Sequence, residues 1–419
     1  MKSEKKLVSF FLIITALFPI IDVLNGYALS IHYLLPIGIF YRMGFFLFLV
    51  GSILVYGLKK NFYTVLTLLT IFICMLLLII QSILLNHTST IMFNDISVLI
   101  KLYLWLLIPY FVYQHQTILR SLNYEKLFIV ISFLFTIGLL IPYFMNFGNQ
   151  TYVNSNAGYK GFYFATNDTT LAFIVSSTFT GHYLVKKIGE HTKLQTLSLM
   201  ILYFCNMLCL LLLATKTGIF YGVILTILLV AYFLFFQRKK EKRFRIIASF
   251  MVAILIFFML LVGKKFIIAT TEGTISRITY FYDLFDGDLV RLLTSSRSEY
   301  LQGGWEYFSQ SQHPFLIPLI GFGFDYRILH FGRVGLIEMD FFDFLFSLGI
   351  IGVVVATMMI LFFLILAFKK KGISIYSIVY IVLLVYGFFA GHVFFSALST
   401  TILGFVCGGI MLTYGERKI

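Results

Sequence analysis

The chain has 419 residues, of which 60% are hydrophobic and only 12% charged, with a mean hydropathy of +0.95. That composition excludes a soluble globular protein. The net charge of +14 invites a nucleic-acid reading, but its distribution excludes one. Segments predicted to be cytoplasmic hold 21 Lys/Arg against 5 Asp/Glu, residues 264–337 hold 7 of each, and the remainder holds 4 against 6. An excess of cations confined to one side is a membrane-topology signal.

A spanning helix needs about 20 mostly apolar residues. Twelve such spans are predicted, near 7–24, 37–58, 62–85, 96–113, 127–145, 169–185, 194–213, 218–236, 244–262, 341–367, 373–390 and 394–414. The N-terminal MKSEKK followed by an apolar run resembles a signal sequence. It lacks a small-x-small cleavage site and is read as a retained first helix. Basic clusters follow every second span: Lys59-Lys60, Arg120 with Lys126, Lys186-Lys187, RKKEKR at 238–243, Lys369–371 and Arg417-Lys418. The alternation puts both termini in the cytoplasm of a multi-pass cell-membrane protein. The expected fold is all-α, with about 12 transmembrane helices and one large, partly helical extracytoplasmic loop. Residues 1–263 form a bundle of about nine helices, 264–337 a cap, and 338–419 a bundle of about three.

Cys74, Cys205, Cys209 and Cys407 all fall in apolar spans. With no disulfide or zinc spacing, they read as small core residues. Two shorter outer loops stand out: 146–168, polar and rich in Gly and Asn, and the tight turn Thr215-Lys216-Thr217-Gly218. The cap is long for a membrane-bundle loop and too rich in Phe, Tyr, Leu and Ile for disorder. It is therefore read as folded and as the place for chemistry. Residues 275–293 read as an amphipathic helix, with Asp283, Asp286, Asp288 and Arg291 opposite the apolar face. A second helix is expected over 298–309.

Arg297 heads that second helix, where a guanidinium beside a helix N-terminus suits a phosphate; the alternative is a surface or capping arginine. Arg42 and Lys101 lie in or at the edge of apolar spans, and each either faces a cavity or snorkels to the outer interface. Lys216 sits in the outer turn. Glu338 and Asp340 lie where the cap meets the tenth span, with Asp343 one turn deeper. The helix dipole accounts for one or two carboxylates there. Three within six residues suggest a proton acceptor. Gly321-Phe-Gly323 lacks the strand–turn–helix setting of a dinucleotide motif and reads as a tight turn before Asp325. His313 and His330 read as solvated loop histidines, His330 being a reserve base.

The order of these features resembles the O-antigen ligase and Wzy-type polysaccharide polymerase superfamily. The likeness rests on Arg297, Trp305, Pro314 or Pro318, Gly321 and Gly323. It continues through Glu338-Met-Asp340-Phe-Phe-Asp343 to Gly349-Ile-Ile-Gly352. Phe164-Ala-Thr-Asn167 and Ala214-Thr-Lys216-Thr-Gly218 resemble two earlier motifs of that family. Glu338 stands where the family carries His, and Lys216 where it carries Arg. The resemblance implies a metal-independent, cofactor-free glycosyltransferase that moves a glycan from undecaprenyl diphosphate to a sugar hydroxyl on the outer face. Arg297, Glu338 and Asp340 would be catalytic. Arg42, Lys101, Asn167, Lys216 and Trp305 would bind the diphosphate or glycan. The implied partners are the lipid-linked oligosaccharide and membrane lipid, with flippase and chain-length regulator proteins. A ligase with another acceptor, a lipid-linked oligosaccharide flippase or other transporter, and a structural protein of the rod-shape and division type are the competing readings.

The topology makes the first prediction. In a Ser309→Cys variant the new thiol reacts with an impermeant maleimide in intact cells or spheroplasts. Labelling only after permeabilisation puts the cap inside.

Overall fold

A computed structural model describes residues 2–33, 36–152, 157–187, 192–235, 297–369 and 373–414, with isolated helical positions between 249 and 283. The first helices are α1 (Lys2–Ser30), α2 (Ile37–Tyr56), α3 (Phe62–Leu84), α4 (Ser89–Gln114), the short α5 (Gln116–Ser121) and α6 (Tyr124–Phe144). Then come α7 (Thr166–Lys187), α8 (Lys193–Leu213), α9 (Lys216–Phe235), α10 (Arg297–Ser309), α11 (Leu316–Ile320) and α12 (Asp325–His330). The last three are α13 (Asp340–Phe368), α14 (Ile375–Phe389) and α15 (Ala397–Tyr414). Between α6 and α7 the polar loop folds into an antiparallel ribbon of β1 (Asn149–Tyr152) and β2 (Ala157–Gly161), a small departure from an all-α chain.

Apolar runs supply the helices and short polar residues begin them. Asn61 accepts from the Thr64 amide at 2.9 Å, Ser374 accepts from the Ser377 amide at 3.1 Å, and Thr192 with Gln195 closes a capping box. Helices α1, α2, α3, α4, α6, α8 and α13 are long and apolar enough to cross a membrane; α9, α14 and α15 are shorter apolar helices. The protein is thus an all-α multi-pass membrane protein. Helix α7, predicted as the sixth span, is not among these because Thr and Ser lower its hydropathy. The predicted span 244–262, the amphipathic helix 275–293 and the cap before Arg297 lie outside the described residues.

The chain forms two compact units, one of Met1–Val8, Gly38–Leu122 and Phe285–Ile419, the other of Ser9–Ile37 and Asn123–Leu284. In the second, buried hydroxyl and amide groups join the helices. Asn206 donates to Ser132 Oγ at 2.8 Å and accepts from Thr136 Oγ1 at 3.0 Å, and Ser132 meets Thr180 at 3.1 Å. Such side chains hold apolar helices together where lipid provides no hydrophobic drive. In the first unit, α15 packs along α4, and Gly404 lets the backbone approach Leu104 and Ile108.

Helix α13 is not the straight span expected. At Gly349 the backbone turns to φ 66° and ψ −171°, outside helical geometry. Asp340 nevertheless lines the same cavity as Val353 and Ala356, although a straight helix would hold residues 340 and 353 about 20 Å apart. The chain therefore folds back, and the arm 340–348 lies alongside the start of the arm 350–368. Gly352 accommodates the elbow, since a methyl there would collide with Leu348. Carbonyls freed by the break are taken up by the cap. Phe346 and Ser347 accept from the amides of Phe322 and Gly323 at 2.9 and 3.0 Å. Gln81 donates to Ser347 at 2.8 Å and also to Ile320. Gly321-Phe-Gly323 is thus an extended crossing over the elbow, and not the tight turn expected.

A residue other than glycine at 349 would enter backbone space nearly closed to side chains and would collide with the Leu319 carbonyl. Gly349→Ala should cost upward of about 3 kcal/mol of stability. Gly44→Ala on α2, where the added methyl meets nothing, should be neutral or slightly stabilising. Thermal unfolding in detergent compares the two.

Candidate functional site

The cap–bundle junction is built on left-handed backbone. Glu338 has φ 61°, Gly391 φ 67° and His392 φ 66°. A side chain at Gly391 would collide with the Glu338 main chain. Two non-glycine residues held in this region, each at a cost of about 1 kcal/mol or more, mark a place where packing imposes side-chain direction. The strain brings together residues far apart in sequence. Arg297, at the start of α10, donates from Nη2 to Glu338 Oε2 at 2.8 Å and to the Ala390 carbonyl at 3.3 Å. Its buried Nε makes no hydrogen bond. The other Glu338 oxygen lies 3.8 Å from His392 Nε2.

Glu338 is 38% exposed at its side chain and Arg297 only 13%. Burial pushes the Glu338 carboxyl upward, but the His392 imidazole and the Arg297 guanidinium more than offset it, leaving it below the usual glutamate range. It is therefore ionised at neutral pH and a weak base by itself. Asp340, buried, accepts from the Val393 amide at 2.9 Å and so pins the turn that carries His392. Its Oδ1 makes no hydrogen bond. A methyl at Gly387 would lie 2.7 Å from Oδ2, so glycine there lets the carboxylate approach α14. Asp340 also lines a largely apolar cavity of about 150 Å³ between α13 and α14, walled by residues such as Phe344, Ile360, Leu384 and Phe388.

Asp343, the third carboxylate, is structural. It receives Arg327 Nη2 at 3.0 Å and the amides of Ile337 and Met339 at 3.0 and 3.2 Å, while Arg327 Nη1 reaches Ser347 Oγ at 2.5 Å. Both partners are buried. Trp305 lies on α10, its ring against Phe308 and Phe346 and its outer side exposed. Arg42, buried, donates to the Gly38 carbonyl of its own helix at 3.1 Å, and Lys101 is half-buried on α4. In the second unit, Asn167 is half-buried in the first turn of α7. Lys216 is exposed at the start of α9, after the left-handed Ala214. His330 is exposed and stacks on Tyr326.

Of the residues singled out from the sequence, Arg297, Glu338 and Asp340 come together around residues 390–393. His392 was missed. The available signal was a histidine in the break between two apolar runs, on the side to which the alternation of basic clusters assigns the cap. Arg327 was missed because its buried partner, Asp343, lies 16 residues on, whereas the nearby Asp325 meets Asn94 instead. Among the described residues no cluster of three or more His, Cys, Asp or Glu side chains could hold a metal ion. No protein-family model, curated protein or solved structure matches the chain.

The two arginine–carboxylate pairs should separate on mutation. Arg327→Leu leaves Asp343 buried and uncompensated, and should cost about 3–5 kcal/mol. Arg297→Leu removes a pair whose acid is partly solvated, and should cost about 1 kcal/mol or less. Unfolding of both variants in detergent checks this order.

Proposed function

We propose that the protein is a glycosyltransferase acting on a diphosphate-linked lipid donor, transferring its glycan to a sugar hydroxyl. The observation that carries this reading is the Arg297–Glu338–His392 cluster. It is set on strained backbone and adjoins, through Asp340, an apolar cavity in the bundle. A donor of this class has an anionic head on an isoprenoid tail, so a cationic group beside an apolar groove suits it. The resemblance to the O-antigen ligase and Wzy-type superfamily supports the same class. Polymer growth is favoured over ligation only because Glu338 replaces that family's His.

In the transfer, the acceptor oxygen forms a bond to the anomeric carbon as the carbon–phosphate oxygen bond breaks. The diphosphate leaves with the bonding pair. Arg297, with its unpartnered Nε, can stabilise that growing charge. The acceptor proton goes to the imidazole of His392, and ionised Glu338 stabilises the imidazolium that results. Asp340 acts as a positioning residue through the Val393 amide. Trp305 presents an exposed ring against which a sugar can stack.

Arg297→Ala should lower transfer in membranes by about 10²-fold or more, by analogy with removing one charge-stabilising donor. Arg297→Lys should recover only part, because it lacks the fork geometry. His392→Gln should cost about 10²–10⁴-fold if the imidazole takes the proton. Wild-type transfer by Arg297→Ala at equal expression would overturn the reading. A flippase is the second reading, favoured by one observation: the break at Gly349 inside an apolar helix, a feature of transporters. Detergent-solubilised protein separates the two, since a transferase elongates added lipid-linked donor there and a flippase does not.

A further inference from the structure

The segment 314–331 belongs to the predicted extracytoplasmic cap, and its exposed surface is largely apolar. Phe315 is 87% exposed and Leu329 61%, and Leu316, Leu319 and Ile328 are all more than 40% exposed. Its two charged residues turn the other way, and His330 is the exposed polar side chain. Arg327 is buried against Asp343, and Asp325 accepts from Asn94 at 3.0 Å. The histidine facing inward, His87, is pulled below its usual value by burial and by neighbouring His330, which favours the neutral form.

Two independent measures give the level of this segment along the bundle. The crossing at 320–325 is held by Gln81, three residues before the end of α3, and by Asp95, six residues into α4. Asp95 accepts from the amides of Phe324 and Asp325 at 2.9 and 2.7 Å. At 1.5 Å per residue these anchors lie about 5–9 Å inside the helix ends. Helix α3, with 23 residues, is about 35 Å long, little more than the roughly 30 Å hydrocarbon core. From the other end, Leu319 packs on Gly349, and the arm 350–368 rises about 28 Å below it. Both measures put α11 and α12 level with the edge of the hydrocarbon.

We infer that residues 314–331 form an interfacial wedge, with Phe315, Leu316, Leu319, Ile328 and Leu329 in contact with the acyl chains of the adjoining leaflet. Irregular backbone is tolerated at that depth only where protein satisfies it. Here Phe346, Ser347, Gln81 and Asp95 do so. The side-chain atoms left over, Asp95 Oδ2, Gln81 Oε1 and the His87 ring nitrogens, lie around Gly323, away from the apolar face. The inference depends on the membrane fold alone and not on the proposed transfer reaction.

The test uses protein in lipid nanodiscs, which expose both faces. In a background lacking the four native cysteines, Phe315→Cys and Leu329→Cys should react with a hydrophilic maleimide about ten-fold or more slowly than Gln312→Cys, because a thiol in lipid seldom ionises. A fluorophore on either thiol should be quenched by lipids brominated near the glycerol end of their chains and not by aqueous iodide. Labelling and iodide quenching equal to those at Gln312 would overturn the wedge. If the cysteine-free protein does not fold, wild-type protein cross-linked with a phospholipid bearing an acyl-chain diazirine gives the same decision. Adducts within 314–331 support the wedge, and adducts on α3 with none in that segment refute it.

Discussion

Much of the first unit depends on one set of backbone hydrogen bonds, those between Phe322 and Gly323 and the carbonyls of Phe346 and Ser347. A spanning helix can break only if the carbonyls it releases find donors, because lipid offers none. The cap supplies two amides and α3 supplies the Gln81 amide group. With those donors in place, Gly349 can take a conformation closed to other residues, and the arm 340–348 can fold back. Without the elbow, Asp340 would stand about 20 Å from Val353, and the carboxylate would not adjoin the cavity.

The elbow also separates three carboxylates that look alike in sequence. Asp343 faces the cap's inner side, where Arg327 and two backbone amides consume both its oxygens. A buried pair of this kind resists removal of one partner more than it stabilises the fold. Asp340 faces the bundle and holds the turn after α14. Glu338 precedes the helix and remains partly solvated, with Arg297 on one oxygen and His392 near the other. The group with the best access is thus also the one kept ionised by cationic and imidazole neighbours. In that setting a carboxylate is better suited to orienting an imidazole than to taking a proton itself.

The two units bury partly different sets of polar groups, although the second also holds the buried Asp168. In the second, Ser132, Thr136, Thr180 and Asn206 satisfy one another without net charge, and polar α7 can lie among apolar helices for that reason. The first buries acidic and basic side chains, of which Arg327 and Asp343 meet each other and Asp95 and Asp340 accept from backbone amides. Buried hydrogen-bonded hydroxyls are cheap to keep in a bundle, whereas buried charges persist where geometry leaves no substitute.

Apolar run length and the placement of Lys and Arg were enough to establish an all-α multi-pass protein, because both follow from the cost of putting polar groups in hydrocarbon. The helix at Arg297 was legible too, and Glu338 and Asp340 stood out as carboxylates beside an apolar run. The elbow was not. Gly349 and Gly352 are ordinary in an apolar sequence, and only the approach of Leu319 and Leu348 makes them necessary. Nor could local pattern assign His392 to Glu338 or Arg327 to Asp343, pairs separated by 54 and 16 residues. Which charges meet was decided by the fold-back of one helix arm, a long-range packing event with no periodicity to announce it.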